Sequence, residues 1–122
     1  MGRRQYIDLC KEEATRSDVH FQHGAVLIKN NKVVGSGFNR YTGHKLHHLR
    51  TVHAEMKAIQ SAQGKDIENA IMYVIRLSSM SDDGLGSSCP CLKCTKFMKL
   101  HKIQKVIYST GDGFEKKLVG EL

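Results

Sequence analysis

Two short segments of the chain carry side chains that could bind a metal ion and move protons. The first holds His53 and Glu55, which begin an apolar run with helical spacing. The second holds Cys91 and Cys94, which follow Pro90, a residue that suits the first turn of a helix. Residues i and i+3 of a helix lie on one face, so both thiols can point toward the same ligand.

Together these side chains supply one imidazole nitrogen and two sulfurs. This ligand set suits Zn²⁺, which prefers tetrahedral coordination by nitrogen and sulfur. With His53, Cys91 and Cys94 as ligands, a fourth position remains for water, as in catalytic rather than structural zinc sites. Cys89 is the nearby candidate for a fourth protein ligand. Because Pro90 favours an extended conformation at the preceding residue, we expect the Cys89 side chain to face elsewhere.

The two motifs, H-x-E at His53 and Glu55 and P-C-x-x-C at Pro90–Cys94, resemble those of the zinc-dependent cytidine, deoxycytidylate and nucleic-acid base deaminase superfamily. The resemblance spans about residues 20 to 110. It includes Gly24–Val26, which is similar to the first strand of such enzymes. Each motif alone is a weak match, whereas both in this order make a specific one.

The resemblance also implies roles for individual residues. Glu55 would be the acid/base group that moves protons between water, the base ring and the departing ammonia. Asn39 is similar to the asparagine with which these enzymes hold the sugar or base of their substrate. We expect walls of the substrate pocket from the backbone amide of Ala54 and from the region of Ser88 and Cys89.

Two positions depart from patterns that are common in this superfamily. Lys57 stands where many deoxycytidylate deaminases have an asparagine. Ser88 and Cys89 stand before Pro90, where many relatives have threonine or glutamate. Neither departure alters the predicted zinc ligands, and both bear on which substrate is accepted.

The resemblance implies a hydrolase that acts on the C–N bond of a cyclic amidine. Our first hypothesis is conversion of cytosine to uracil, with release of ammonia, on free cytidine, deoxycytidine, CMP or dCMP. The second is the same chemistry on cytosine in single-stranded DNA or RNA, or on adenosine in tRNA. The third is a zinc-stabilised binding module without catalysis. Glu55 argues against the third, because a purely structural site needs no acid outside the ligand set.

Length and composition indicate an ordinary globular protein. The 122 residues, 40% hydrophobic and 25% charged, predict one domain over residues 1–122. Apolar runs are short, which predicts no membrane association, and neighbouring thiols without a signal segment favour metal ligation in the cytoplasm. The net charge of +7 would attract nucleotide phosphate or nucleic acid, or would simply keep the surface soluble.

The hydrophobic pattern predicts strands that alternate with helices. We expect a helix over 3–16, a hairpin over 25–38 that turns at Asn30–Asn31, a helix over 53–63, a strand over 70–75, a helix over 90–101, a strand over 106–109, a loop over 110–114, and either a short strand or irregular chain over 117–119. This alternation predicts an α/β domain. The resemblance implies a three-layer α/β/α sandwich with a central mixed sheet of about five strands and helices on both faces.

Three further features lead to narrower expectations. The stretch from Tyr41 to Arg50 is rich in histidine; we favour a loop whose cations meet substrate phosphate over a second metal site. Gly35 and Gly37 suggest a bulge or a close backbone approach rather than a nucleotide-binding loop. Cys10 lies on the apolar stripe of the first helix, so we expect it in the core. Relatives commonly assemble, which makes a homo-oligomer a further expectation.

Overall fold

The computed structural model describes residues 2–41 and 51–121. Within these ranges there are three α-helices: α1 (Arg3–Thr15), α2 (Ala54–Ser61) and α3 (Leu92–Leu100). The same ranges contain eight β-strands: β1 (His23–Lys29), β2 (Lys32–Phe38), β3 (Arg40–Tyr41), β4 (Thr51–Val52), β5 (Ile71–Leu77), β6 (Leu85–Gly86), β7 (Lys105–Thr110) and β8 (Gly113–Leu118). A 3-10 helix, Val119–Glu121, follows β8. Among the described helices, none is both long and apolar enough to cross a membrane.

The main sheet has the strand order β2-β1-β5-β7-β8, and β6 pairs with the end of β5. β5 and β7 run parallel, whereas the other neighbouring pairs are antiparallel. The parallel strands are connected through α3, because two parallel strands need a crossover and a helix usually supplies it. The expected mixed sheet is therefore confirmed. The short strands β3 and β4, which pair with each other, and β6 were not predicted.

Helices cover both faces of the sheet, which confirms the three-layer architecture. Successive residues of a strand point to opposite faces, so each strand contributes to two cores. The core under α1 contains Tyr6, Cys10, Ala14, Val26, Ile28, Tyr73, Ile75, Leu85 and Ile107. The core under α2 and α3 contains Ala25, Leu27, Ala54, Ala58, Ile59, Met72, Val74, Met98 and Val106. Cys10 is thus a core residue, as predicted.

Two glycines allow α2 to lie directly against β2. A Cβ atom on Gly35 would lie 2.2 Å from the carbonyl oxygen of Ala58, and one on Gly37 would lie 2.5 Å from the Cβ of Lys57. Any larger residue would push the helix away from the strand. The predicted close backbone approach at Gly35 and Gly37 is confirmed, and it fixes the position of α2 relative to the sheet.

Some predicted boundaries need correction. Asn30 and Asn31 form the predicted turn with φ of 52° and 63°, as a two-residue hairpin requires. However, α3 begins at Leu92 rather than at Pro90, because Cys91 occupies the N-cap position in an extended conformation. The predicted loop over 110–114 is also too long, since β8 already begins at Gly113. Except for Tyr41, the histidine-rich stretch from Tyr41 to Arg50 lies outside the described residues.

The sheet topology fixes the edge at which chemistry can occur. Pairing between β5 and β7 extends to Val74 and Tyr108, and β6 then pairs with Arg76 and Leu77 at the end of β5. The chain after β6 leads directly to Pro90 and the thiols. Since α3 follows β5 in a crossover, the helix starts beyond the carboxyl end of that strand. In α/β sheets this edge is where ligands bind.

Candidate active site

The predicted metal ligands come together where α2 and α3 begin. The Nδ1 atom of His53 lies 3.1 Å from Sγ of Cys94 and 3.4 Å from Sγ of Cys91. The three ligand atoms all lie within 4.8 Å of one another. The structure therefore positions His53, Cys91 and Cys94 to bind a metal ion, as predicted.

The helix starts explain why these side chains meet. His53 and Cys91 are N-cap residues with extended backbone, φ −75° and ψ 152° for His53 and φ −73° and ψ 168° for Cys91. A residue in this conformation projects its side chain past the helix end. Cys94 follows within the first turn of α3, and its backbone N–H donates to Sγ of Cys91 at 3.5 Å. The amino-terminal ends of α2 and α3 thus direct three potential metal-ligand atoms to one point.

The geometry of the three ligand atoms fits zinc. Tetrahedral sites have Zn–N distances of about 2.0–2.1 Å and Zn–S distances of about 2.3 Å, which place a nitrogen and a sulfur ligand about 3.6 Å apart. The observed N–S separations of 3.1 and 3.4 Å need only a slight expansion to admit the ion. Cys89 is exposed and is not part of this ligand group. Three protein ligands leave one tetrahedral position for a small molecule.

Burial and neighbouring charges shift the proton equilibria of the ligands. Burial lowers the pKa of His53, and the positive charge of Lys93 lowers it further. Burial raises the pKa of the Cys94 thiol, and the charges of Glu55 and Cys91 raise it further. Without a cation the thiol is therefore the stable form of Cys94. Because only a thiolate binds zinc, metal binding must release that proton.

Glu55 lies next to the ligand group without belonging to it. It occupies the first turn of α2 and is only 4% exposed. Burial raises the pKa of its carboxyl group to about 7, opposed by hydrogen bonds from its own backbone N–H and from the side chain of Cys94. The contact with Cys94 places a buried carboxyl group beside a zinc ligand. Its protonated and ionised forms are close in free energy near neutral pH.

A pocket of about 300 Å³ opens beside this ligand group. His53, Glu55 and Cys91 contribute to its lining. The rest of the lining comes from Val19, Phe21, His23, Asn39, Ala54 and Cys89. Because Ala54 is the first residue of α2, its N–H has no acceptor within the helix. Ala54, Asn39 and Cys89, predicted as substrate contacts, therefore all lie at the pocket.

Asn39 is also part of the wall that shapes this pocket. Its Oδ1 accepts hydrogen bonds from Oγ of Ser17 at 2.7 Å and from the backbone N–H of His23 at 2.9 Å. Its Nδ2 donates to the carbonyl oxygen of Phe21 at 2.7 Å. The side chain is 6% exposed. Asn39 therefore ties together the loop before β1 and the end of β2, in addition to facing the pocket.

Ser88 does not lie where the sequence suggested. Its side chain is 3% exposed, and its Oγ donates to the carbonyl oxygen of Val74 at 2.9 Å. The same oxygen accepts from the backbone N–H of Ser109 at 2.9 Å. Ser88 is not one of the described residues that line the pocket. The expectation that Ser88 forms a pocket wall is corrected: it joins the chain before the thiols to β5 and β7.

His23 and Phe21 line the pocket but were not identified from the sequence. His23 is the first residue of β1, and Phe21 lies two positions before it. Because β1 is antiparallel to β5, its start reaches the edge where β5 ends. Burial lowers the pKa of His23, and the charges of Arg76 and His53 add to this effect, whereas a hydrogen bond to Phe21 opposes it. The sequence feature that could have identified these pocket residues is an aromatic residue and a histidine two positions apart where a buried strand begins.

Lys57 lies outside this pocket. It lines a separate groove together with Arg16, Arg40 and residues 36–38 of β2. The departure from the family pattern at Lys57 therefore concerns the surface between α1 and α2 and leaves the lining of the metal-site pocket unchanged.

Comparison with known proteins agrees with this geometry. A family model described as the cytidine and deoxycytidylate deaminase zinc-binding region matches residues 2–110. This range includes both motifs and every strand of the main sheet except β8.

Solved structures show the same fold. A cytidine deaminase from Burkholderia pseudomallei has a TM-score of 0.75 at 22% identity, covering 99% of this chain and 95% of that one. A dCMP deaminase from the cyanophage S-TIM5 has a TM-score of 0.68 at 19% identity, covering 90% and 86%. A tRNA deaminase that carries out A-to-I editing at the wobble position has a TM-score of 0.58 at 25% identity, covering 87% and 75%.

Proposed function

The chain belongs to the family of cytidine and deoxycytidylate deaminases, zinc-dependent hydrolytic enzymes, and from this premise we propose that it converts cytosine to uracil on a free nucleoside or nucleotide. The substrates we propose are cytidine, deoxycytidine, CMP or dCMP. One observation carries the proposal. A buried carboxyl group, that of Glu55, lies beside a group of only three zinc ligands and lines an open pocket.

His53, Cys91 and Cys94 would hold the ion. When bound, Zn²⁺ supplies a Lewis acid that lets water act as a nucleophile near neutral pH. Glu55 accepts the proton that water loses and donates it to the ring nitrogen N3 of cytosine. A bond forms between the water oxygen and C4. A second proton passes from that oxygen through Glu55 to the amino nitrogen, the C4–N bond breaks, and uracil and ammonia result.

The size of the pocket supports a small substrate. Its volume of about 300 Å³ lies at the lower end of the range of about 300–1,000 Å³ for small-molecule sites. The apolar side chains of Val19 and Phe21 suit the faces of a pyrimidine ring. The N–H of Ala54, which has no acceptor within α2, suits a carbonyl oxygen on the edge of that ring. We propose Asn39 and Cys89, which also line the pocket, as further contacts.

A nucleic-acid base is the alternative substrate. Two observations favour it: the net charge of +7, and the likeness to a tRNA deaminase at 25% identity. Cytosine in single-stranded DNA or RNA, or adenosine in tRNA, would enter the same pocket after leaving its base stack. Phosphate contacts by lysine and arginine would then make binding strongly dependent on salt.

Turnover of defined substrates tests the proposal. Zinc-loaded protein would be given cytidine, deoxycytidine, CMP, dCMP, single-stranded oligonucleotides and a tRNA anticodon stem-loop, with ammonia release and product mass as readouts. We expect conversion of the monomers, and loss of that conversion in Glu55→Gln. Conversion of the polymers alone would select the alternative. A zinc-loaded protein that converts none of these would contradict the proposal.

A further inference from the structure

Arg76 lies beside the substrate pocket, on the face of the sheet that carries the ligand group. In the antiparallel pairing of β1 with β5, Arg76 stands directly opposite His23. Directly opposed residues project to the same face, with Cβ atoms about 4.5–5.5 Å apart. The Arg76 side chain therefore starts next to His23, a residue that lines the pocket.

Three neighbours hold the Arg76 side chain in place. Its Nε donates to the carbonyl oxygen of Ser87 at 2.9 Å. Its guanidinium carbon lies 5.1 Å from the ring centroid of Phe21, over the ring face. The other side rests on Gly86, where an added Cβ would approach a guanidinium nitrogen to 2.3 Å. The guanidinium is therefore preorganised, so little rotamer freedom is lost when it binds a ligand.

This cation has no acidic partner within the described part of the chain. The ion pairs found there join Arg16 to Glu13, Lys29 to Asp66, and Lys102 to Glu68. The Arg76 side chain is half-buried, and only its Nε has a hydrogen-bond acceptor among the described residues. The two terminal nitrogens thus leave a pair of parallel donors, the arrangement that binds phosphate with two hydrogen bonds.

A second cavity, which Arg76 lines, adjoins the pocket at Phe21. It has a volume of about 430 Å³ and is lined by Arg76, Phe21, His20 and Ser78 among others. Phe21 lines both cavities, and its side chain is 55% exposed. A substrate whose base occupies the first cavity could therefore extend past Phe21 toward the guanidinium.

We infer that Arg76 binds the phosphate attached to the reacting nucleoside. This inference rests on the proposed function and deepens it, because it makes a phosphorylated substrate the preferred one. The phosphate belongs either to a nucleoside monophosphate or to the backbone of a strand, and the chemistry of recognition is the same. Arg76 is then a specificity residue that contributes binding without taking part in proton transfer.

A purely structural role for Arg76 makes a different prediction. The hydrogen bond to Ser87 braces the chain segment that leads to the thiols. If bracing were its whole role, substitution would impair zinc binding and all substrates equally. If Arg76 binds phosphate, only phosphorylated substrates would be affected. The comparison of each nucleotide with its own nucleoside separates these two roles.

The test compares Arg76→Gln with a matched control, Arg4→Gln, which removes the same charge from the exposed surface of α1. Substrates are cytidine, CMP, deoxycytidine, dCMP and a single-stranded oligonucleotide. Since a charge-assisted hydrogen bond is worth about 1.5–3 kcal/mol, we expect kcat/KM for phosphorylated substrates to fall roughly 10- to 100-fold in Arg76→Gln, mainly through KM. In Arg76→Gln, zinc content and turnover of cytidine should change less than threefold. In Arg4→Gln, zinc content and kcat/KM for every substrate should also change less than threefold.

Calorimetric binding of the products, uridine and UMP, keeps the inference separate from the proposed function. UMP should bind more tightly than uridine to the unmodified protein and lose that advantage in Arg76→Gln, even if no substrate is turned over. An effect confined to CMP and dCMP identifies a monophosphate as the source of the phosphate, and one confined to the oligonucleotide identifies a strand. Equal losses for nucleoside and nucleotide would overturn the inference. If Arg76→Gln does not fold, Arg76→Met, which keeps an unbranched stem and removes the charge, gives the same comparison, with an unchanged UMP-to-uridine ratio as the overturning result.

Discussion

Two buried thiols on opposite faces of the sheet show what makes a cysteine a metal ligand. Cys10 and Cys94 are both 0% exposed, and neither is in a disulfide. Burial raises the pKa of both, that of Cys10 to about 12. Burial and protonation state therefore do not distinguish them. The difference lies in what surrounds each sulfur.

The sulfur of Cys10 lies 3.4 Å from the carbonyl oxygen of Tyr73 and near the backbone of Val26, and the rest of its described surroundings is an apolar core. The sulfur of Cys94 meets the imidazole of His53 at 3.1 Å and lies near the thiol of Cys91 and the carboxyl group of Glu55. A cation in place of the Cys94 proton would gain several donors at once. At Cys10 it would gain one and remain largely unsolvated, which is unfavourable.

The largest effect should come from removing the ligand sulfur. In Cys94→Ala we expect zinc content, measured by elemental analysis, to fall close to zero and deaminase activity to fall to the limit of detection. A ligand present at 100 times its Kd stabilises a protein by about 2.7 kcal/mol, so Tm should also drop by roughly 10 °C or more. Cys89→Ala is the matched control and should retain zinc. Normal zinc content in Cys94→Ala would remove this residue from the ligand set.

The second-largest effect should come from replacing Glu55, the acid beside the metal ligands. Glu55→Gln keeps the shape of the side chain and removes its ability to exchange protons, so zinc content should stay unchanged. A positioned acid/base contributes about 10²–10⁴ in rate, and kcat should fall by that factor. Glu12→Gln on the exposed surface of α1 removes the same charge and should leave kcat unaltered. A Glu55→Gln protein with full turnover would contradict our assignment of the proton-transfer group.

The ligand group was predictable because its residues are marked by short-range spacing. His53 and Glu55 lie two positions apart, and Cys91 and Cys94 three apart, so each half of the site is encoded within one helix start. The helices and central strands were predictable for a similar reason, since their apolar periods reflect buried faces. Such features depend little on how distant segments are arranged.

The residues that were missed depend on strand register. His23 and Arg76 are 53 positions apart and meet only because β1 and β5 pair in one particular register. Ser88 was misplaced because its position next to the thiols in sequence does not reveal that its hydroxyl bonds to Val74. The strand β8 was underestimated because, as an edge strand, it has mostly exposed residues and no clear apolar alternation.

A smaller effect should come from the thiol under α1. Cys10→Ala removes one buried sulfur and leaves a small cavity, so we expect the free energy of unfolding to fall by about 1–2 kcal/mol. Zinc content and kcat should not change, because the sheet separates Cys10 from the ligand group. Chemical denaturation and elemental analysis of the same sample test both statements. Loss of zinc in Cys10→Ala would break the contrast between the two thiols.

The smallest effect should come from the histidine that lines the pocket without joining the ligand group. The folded protein lowers the pKa of His23 below 6.5, chiefly by burial, so the unfolded chain binds a proton at this residue more readily. Where the unfolded state binds more protons, stability rises with pH. The contribution of His23 is therefore fully present above pH 6.5 and is lost as the pH falls through its folded-state pKa.

The variant His23→Asn isolates this contribution, because the amide can still hydrogen-bond near the position of Nδ1 but does not titrate. Denaturation of zinc-loaded protein between pH 7.5 and about 5 should show a shallower loss of stability in the variant than in the unmodified protein. Subtracting one curve of stability against pH from the other cancels the contributions of the carboxyl groups and of His53, which titrate in both proteins. Parallel curves would mean that His23 exchanges its proton as freely as in the unfolded chain. The contrast between a ligand histidine and a pocket histidine would then rest on geometry alone, since His53 points its Nδ1 at two sulfurs whereas the Nδ1 of His23 lies 3.0 Å from the carbonyl oxygen of Phe21.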